Sequence, residues 1–123
     1  MLHEHQFVGF VLVSDATRAK AFYCDVLGLP LVHEDGFAVV LDAGGTPLRL
    51  ALVHDVPEPA GTNAGWQVGD VNAAARQLTA RGVTFELFPG MDQDEDGVWH
   101  PPGGGGVAWF RDPHGNRLSL SSG

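Results

Sequence analysis

The residues of this chain whose types and spacing could do chemistry are an acidic run, six scattered histidines, one cysteine and an arginine set between two leucines. Asp92-Gln93-Asp94-Glu95-Asp96-Gly97 places alternate carboxylates ahead of a glycine, as in the opening of a calcium-wrapping loop. The twelfth position, where such a loop needs a bidentate glutamate, is Gly103, and no helix pattern flanks the run, so it reads as a solvated acidic loop. His3 and His5 lie near the N-terminus, while His33, His54, His100 and His114 fall at expected strand ends or loops, where solvated imidazole is the plain expectation. Cys24 follows Tyr23 in a helical pattern with no histidine nearby, which fits a small buried thiol rather than a nucleophile. Gly103 to Gly106 offers backbone amides to a phosphate, but neither a lysine nor a helix start comes after it, which leaves a hinge. Arg49, between Leu48 and Leu50, can fork onto a carboxylate or phosphate or stack on a ring. The alternative for it is an ion pair with Asp42 or Glu86.

The elements that must position these residues belong to one domain spanning 1–123, with 44% hydrophobic and 18% charged residues and enough chain for a real core. The formal charge of −8, without a basic cluster, would repel a nucleic-acid backbone or an anionic membrane, so neither is expected as a partner. One cysteine permits no internal disulfide, and no leader or long apolar run stands out; a cytoplasmic protein is expected.

Phe7 to Val13 reads as a strand ending at Ser14-Asp15, where Asp15 is a good helix N-cap. Ala19, Phe22, Tyr23, Val26 and Leu27 then recur with helical spacing, and Gly28 and Pro30 close the helix. Short strands are expected at Leu31 to His33, Phe37 to Leu41 and Leu48 to Val53. The pattern then restarts: strand Ala64 to Val68, cap Asp70, a helix marked by Val71, Ala74, Ala75 and Leu78, closing Gly82, and strands at Val83 to Leu87, Val107 to Phe110 and Leu118 to Ser121. Val13-Ser14-Asp15 corresponds to Val68-Gly69-Asp70, and Asp42 precedes Leu48-Arg49-Leu50 as Asp112 precedes Leu118-Ser119-Leu120. The expectation is α+β: two βαβββ modules in tandem, residues 6–55 and 62–122, forming mixed sheets around a barrel-like concave cleft. The second module carries an insertion of about fifteen residues, Gly90 to Gly106, longer than a plain connection.

Alternation along a strand decides which side chains meet the helices. Phe7, Gly9, Val11 and Val13 should face the first helix, leaving Val8, Phe10 and Leu12 on the other side; Ala64, Trp66 and Val68 should face the second, leaving Asn63, Gly65 and Gln67. Phe37, Val39, Val107 and Trp109 are expected to point into the cleft, Phe110 into the core, and Trp99 and His100 to form a flap. Phe10, Leu12, Phe37, Trp99 and Trp109 would suit a flat apolar or aromatic compound, with Arg49 as the chief polar group and Gln67, Asn63 and Ser119 as neutral hydrogen-bonding groups.

Three motifs in order, Asp15 to Gly28, Val68-Gly69-Asp70-Val71 to Arg81-Gly82-Val83, and Phe110-Arg111-Asp112-Pro113-His114-Gly115-Asn116, resemble the vicinal oxygen chelate superfamily, the glyoxalase, bleomycin-resistance and extradiol-dioxygenase group. The resemblance implies a glyoxalase-like fold and a homodimer. Its metal-dependent members hold a divalent ion with His, Glu or Gln at four equivalent places, which fall here on Val8, Arg49, Asn63 and Ser119. A valine has no lone pair, an arginine repels a cation, and Asn and Ser are feeble ligands, so no metal and no cofactor are expected.

These residues together point to a small-molecule-binding protein, sequestering or recognising an apolar or aromatic metabolite or antibiotic. Two readings compete with it. One is an enzyme of the same fold, a lyase, dioxygenase or isomerase with a shifted metal site or with His100 or an acidic loop residue as base. The other is an interaction module whose cleft is filled by its own side chains.

Overall fold

The computed structural model describes residues 1–123, which divide by their internal packing into Met1–Glu58 and Pro59–Gly123. In the first unit, β1 (Gly9–Val13) runs into α1 (Ala16–Lys20), and β2 (Leu31–Glu34), β3 (Ala38–Ala43) and β4 (Thr46–Leu52) come after it. They form one sheet in the order β1-β4-β3-β2, with β1 parallel to β4 and the other pairs antiparallel. Asp15 caps α1 as expected, accepting the Arg18 N–H at 3.1 Å, which satisfies one of the donors a helix start leaves over. The helix does not stay regular through Leu27. A π-helical run, Ala21–Val26, continues it, with Leu27 N–H bonded to the Phe22 carbonyl at 2.9 Å. Gly28 then takes φ 80°, and the Leu29 N–H returns to the Tyr23 carbonyl at 3.0 Å, which ends the helix.

Register shows which face of this sheet is core. Val39 pairs with Leu50 and Leu50 with Val11, while Leu41 pairs with Leu48, and all of these side chains are buried along with Ala19 and Tyr23. The opposite face runs Phe10, Arg49, Val40 in one row and Leu12, Ala51, Ala38 in the next.

The second unit repeats the plan with β5 (Ala64–Gln67), α2 (Val71–Ala80), β6 (Gly106–Arg111) and β7 (Arg117–Ser122), in the order β5-β7-β6. Again β5 is parallel to β7 and the hairpin is antiparallel. Asp70 accepts the Ala73 N–H at 3.0 Å, the same cap as in the first unit. Val71 and Ala75 of α2 and Ala108, Phe110, Leu118 and Leu120 of the hairpin are buried. Asp112 and Asn116 close the hairpin from inside the protein: Asp112 accepts the backbone N–H groups of His114 and Asn116 and the Asn116 side-chain amide. The fold is α+β with two mixed sheets, neither closed on itself.

One expected strand is missing. Against β6, Val83 to Leu87 makes only an isolated bridge, Phe85 to Phe110, and one further bond from Glu86 N–H to the Trp109 carbonyl at 2.8 Å. The reason is Gln93: its side chain accepts the Phe88 N–H at 2.8 Å and donates to the carbonyls of Glu86 and Gly97, both at 2.9 Å, taking up groups a longer ladder would have used. The insertion is likewise not a free loop, for Val98 is buried and Trp99 exchanges both backbone hydrogen bonds with Val107, at 2.8 and 2.9 Å.

Candidate functional site

Both sheets have a helix on one face only, so the open faces are where a ligand can be met. In the first unit that face carries Phe10, 62% exposed, and Arg49, whose guanidinium carbon lies 6.0 Å from the Phe10 ring centroid. Neither ion pair anticipated for Arg49 is made. Asp42 instead accepts the Gly45 N–H at 2.7 Å, and Glu86 is taken up inside the second unit. A recess of about 310 Å³ lies on this side of the sheet, lined by Gln6, Val32, Val40, Asp42, Gly45 and Pro47.

Two expected positions in this unit need correction. Val39 is fully buried opposite Leu50, on the helix side, because the two-residue turn Gly44-Gly45 pairs Ala43 with Thr46 and therefore Val40 with Arg49. Val40, not Val39, shares the open face. Phe37 precedes β3 and is 82% exposed, in a turn where its N–H bonds Asp35 Oδ1 at 2.8 Å. Phe7, expected against the helix, is 75% exposed ahead of β1. Val8, beside it, is also outside the strand and open to solvent, and Leu12 is half-buried.

In the second unit the open face is set by three rows: Gln67, Ser121, Val107; Gly65, Ser119, Trp109; and Arg117 with Arg111. Here the expected placement of Gln67, Val107, Trp109 and Ser119 away from the buried Phe110 agrees with register. Ser119 Oγ lies in the space a Cβ at position 65 would need, so the glycine there is a packing requirement of this face. Asn63 has a structural task, its side-chain oxygen accepting the Arg117 N–H at 3.0 Å. Trp99, paired with Val107, lies on the Trp109 side of the sheet.

Sequence reasoning missed four residues of this face. Phe88 meets Trp109 edge-on, with ring centroids 5.4 Å apart at 88°, and the Arg117 guanidinium carbon lies 5.4 Å from the Phe88 centroid. Glu86 binds both Arg117, at 2.9 Å, and Arg111, at 3.2 Å. The Arg117 hydrogen bond, against partial desolvation and with Arg111 adding to it, holds the Glu86 carboxyl below its usual range. Arg111 and Arg117 were legible two positions from Trp109 and Ser119; Phe88 and Glu86 sit on the irregular segment and gave no periodic signal.

His100 points elsewhere. Its Nε2 lies 2.8 Å from Asp94 Oδ2 and its Nδ1 3.2 Å from the Gly105 carbonyl. The Asn72 amide joins Asp94 and Asp96, and Arg76 pairs with Asp96 at 2.9 Å, so the acidic run is fastened to α2. The expectation of a solvated acidic loop is corrected for Asp94 and Asp96, whose carboxylates are taken by cations and amides of this chain, while Asp92 and Glu95 are exposed as expected. A second recess, also about 310 Å³, lies on this helix side, lined among others by Arg76, Val83, Phe85 and Gly97, and none of the expected ligand residues line it.

The four positions that the resemblance assigns to a metal site, Val8, Arg49, Asn63 and Ser119, carry a poor set of donors. In the first unit they are a valine and an arginine; in the second, Asn63 is engaged with Arg117 and only Ser119 offers a free oxygen. That donor set does not fit a divalent ion, and no group of three or more His, Cys, Asp or Glu is gathered elsewhere. No helix is long and apolar enough to cross a membrane.

Residues 5–120 match the Glyoxalase/Bleomycin resistance protein/Dioxygenase superfamily. An uncharacterized protein of Mycolicibacterium smegmatis is 31% identical over 96 residues, 76% of this chain and 82% of its own length. Among solved structures, a glyoxalase/bleomycin resistance protein/dioxygenase superfamily member from Sphaerobacter thermophilus is 27% identical with a TM-score of 0.74, covering 97% of both chains. Two more distant likenesses concern fold alone. The lactoylglutathione lyase of Agrobacterium tumefaciens is 22% identical, TM-score 0.74, over 97% of this chain and 93% of that one. The fosfomycin resistance protein FosX of Listeria monocytogenes is 14% identical, TM-score 0.76, over 97% and 93%.

Proposed function

Since this chain belongs to the glyoxalase/bleomycin resistance protein/dioxygenase superfamily, we propose that it binds an apolar or aromatic small molecule on the open faces of its sheets, by stacking and without the superfamily's metal site. The observation that carries this reading is Trp109: it stands half-exposed on a face with no covering helix, braced edge-on by Phe88 and bordered by the small residues Ser119 and Gly65. A large ring so held, with no bulky residue beside it in the row, offers a flat surface at low entropic cost. Sequestration of a metabolite or antibiotic is the role this implies, with the protein acting as a homodimer in the cytoplasm. The competing enzyme reading would need a shifted metal site or, without metal, a base such as His100 or an acidic loop residue. His100 has both ring nitrogens turned to acceptors of its own segment, Asp94 and the Gly105 carbonyl, and so is engaged there.

Titrating the protein with a panel of aromatic compounds tests the proposal through tryptophan fluorescence and melting temperature. Ligands that bind only the native state raise Tm as their concentration grows. Quenching and a Tm rise, both lost in Trp109→Ala but retained in part in Trp109→Phe, are expected. A panel that changes neither signal refutes the proposal.

A further inference from the structure

The chain carries a formal charge of −8, yet the strand positions of its open faces hold more cations than anions. Arg49 lies on the first, Arg111 and Arg117 on the second: three of the seven basic residues. Against them stand Asp42, turned to the Gly45 amide at the end of β3, and Glu86, shared by two guanidiniums. Lys20 and Arg76, on the helices, are by contrast paired one to one with Glu34 and Asp96.

Arg49 is the exception among these cations. It is exposed and makes no ion pair, and its guanidinium carbon lies 6.0 Å from the Phe10 ring centroid. A guanidinium near a ring and without an ion pair keeps its N–H donors available, and those donors match a carboxylate by two parallel hydrogen bonds. Fifteen acidic residues are present to neutralise it, so an unpaired arginine in a row of Phe10 and Val40 calls for a partner from outside the chain.

We propose that the ligand is an anion, a flat apolar or aromatic compound bearing a carboxylate that Arg49 receives. This rests on the proposed binding of an aromatic molecule and narrows its class. The aromatic body packs on Phe10 and Val40 in the row of Arg49, and the carboxylate supplies the selectivity, because a neutral analogue leaves the guanidinium with water alone.

Naphthoate and its neutral amide, naphthamide, form a matched pair of probes for the intact protein, read by titration calorimetry and Tm at low and high salt. Naphthoate is expected to bind about tenfold more tightly than naphthamide, close to 1.4 kcal/mol, with the gap shrinking as salt rises. Arg49→Gln should bring the two affinities together, while Arg49→Lys, which keeps the charge but not the fork, should retain part of the gap. Equal binding of the two probes, or a preference that survives Arg49→Gln, overturns the anion inference and leaves aromatic binding standing. Binding of neither probe at millimolar concentration overturns both.

Discussion

His100 faces an acceptor at each ring nitrogen, Asp94 Oδ2 at 2.8 Å and the Gly105 carbonyl at 3.2 Å, and only the imidazolium can donate to both. The Asp94 hydrogen bond and then the Gly105 carbonyl raise the His100 pKa against slight desolvation. Desolvation pushes Asp94 the other way from its final value, but bonds from Asn72, His100 and the Val98 and Asp96 amides outweigh it and bring the carboxyl down to about 2. Other charges at this contact are Asp96 and Arg76, already paired with each other. A raised histidine contributes stability below its unfolded pKa of 6.5 and loses it as pH climbs through the folded value; a depressed Asp94 contributes above 3.8 and loses it as pH falls toward about 2. The ordering of the 90–106 segment should therefore be firmest between about pH 4 and 6.5. Amide exchange of Asp94 to Val107 should quicken as pH rises above neutral, after correction for intrinsic rate. In His100→Gln that added dependence should vanish; its persistence would show that some other group ties the segment down.

Glu86 is the carboxylate between Arg111 and Arg117, with side chains 23%, 30% and 19% exposed. That is too buried to be indifferent and too wet to count as an interior pair. Glu86→Gln should destabilise by about 1–2 kcal/mol, between the usual figures for exposed and fully buried pairs. Since the folded carboxyl titrates below 4.5, wild-type stability from this group should fall as the solution is acidified through and below that value, and the variant should lack this part of the acid limb. Urea unfolding at neutral and acid pH measures both, and a variant as stable as wild type at neutral pH would exclude a structural role for the cluster.

How much of this was legible in the sequence depends on whether a signal was local. Asp15 and Asp70 declared their caps and Gly28 its left-handed turn, because capping chemistry is confined to a few neighbouring residues. The open faces could be read from alternation wherever strands were regular, as for Trp109 and Ser119. Alternation misplaced Val39 because a hairpin's faces are fixed by its turn, and the turn at Gly44-Gly45 pairs Val40 with Arg49. Nothing local announced that Gln93 would satisfy the Glu86 and Phe88 backbone, so the strand expected at Val83 to Leu87 and the bracing of Trp109 by Phe88 were both out of reach. The docking of Asp94 and Asp96 on Asn72 and Arg76 spans 20 to 24 residues, a distance at which a charge run gives no hint of its partners.

Gly65 and Ser119 occupy one row of the second sheet, and the serine hydroxyl stands where a β-carbon at 65 would sit, with the Ser119 carbonyl 3.1 Å from the same point. Gly65→Ala must displace a side chain and crowd a backbone oxygen on the neighbouring parallel strand, so a loss of about 1–3 kcal/mol is expected, the usual range for overpacking. Removing the hydroxyl relieves the larger part of the conflict, since the serine β-carbon is at an ordinary 3.6 Å. The double variant Gly65→Ala with Ser119→Ala should recover most of the loss, and Ser119→Ala alone should cost little. Urea midpoints of the four proteins give the coupling directly. A double variant no more stable than Gly65→Ala would mean that the backbone of β7, not the Ser119 side chain, sets the demand for glycine on this face.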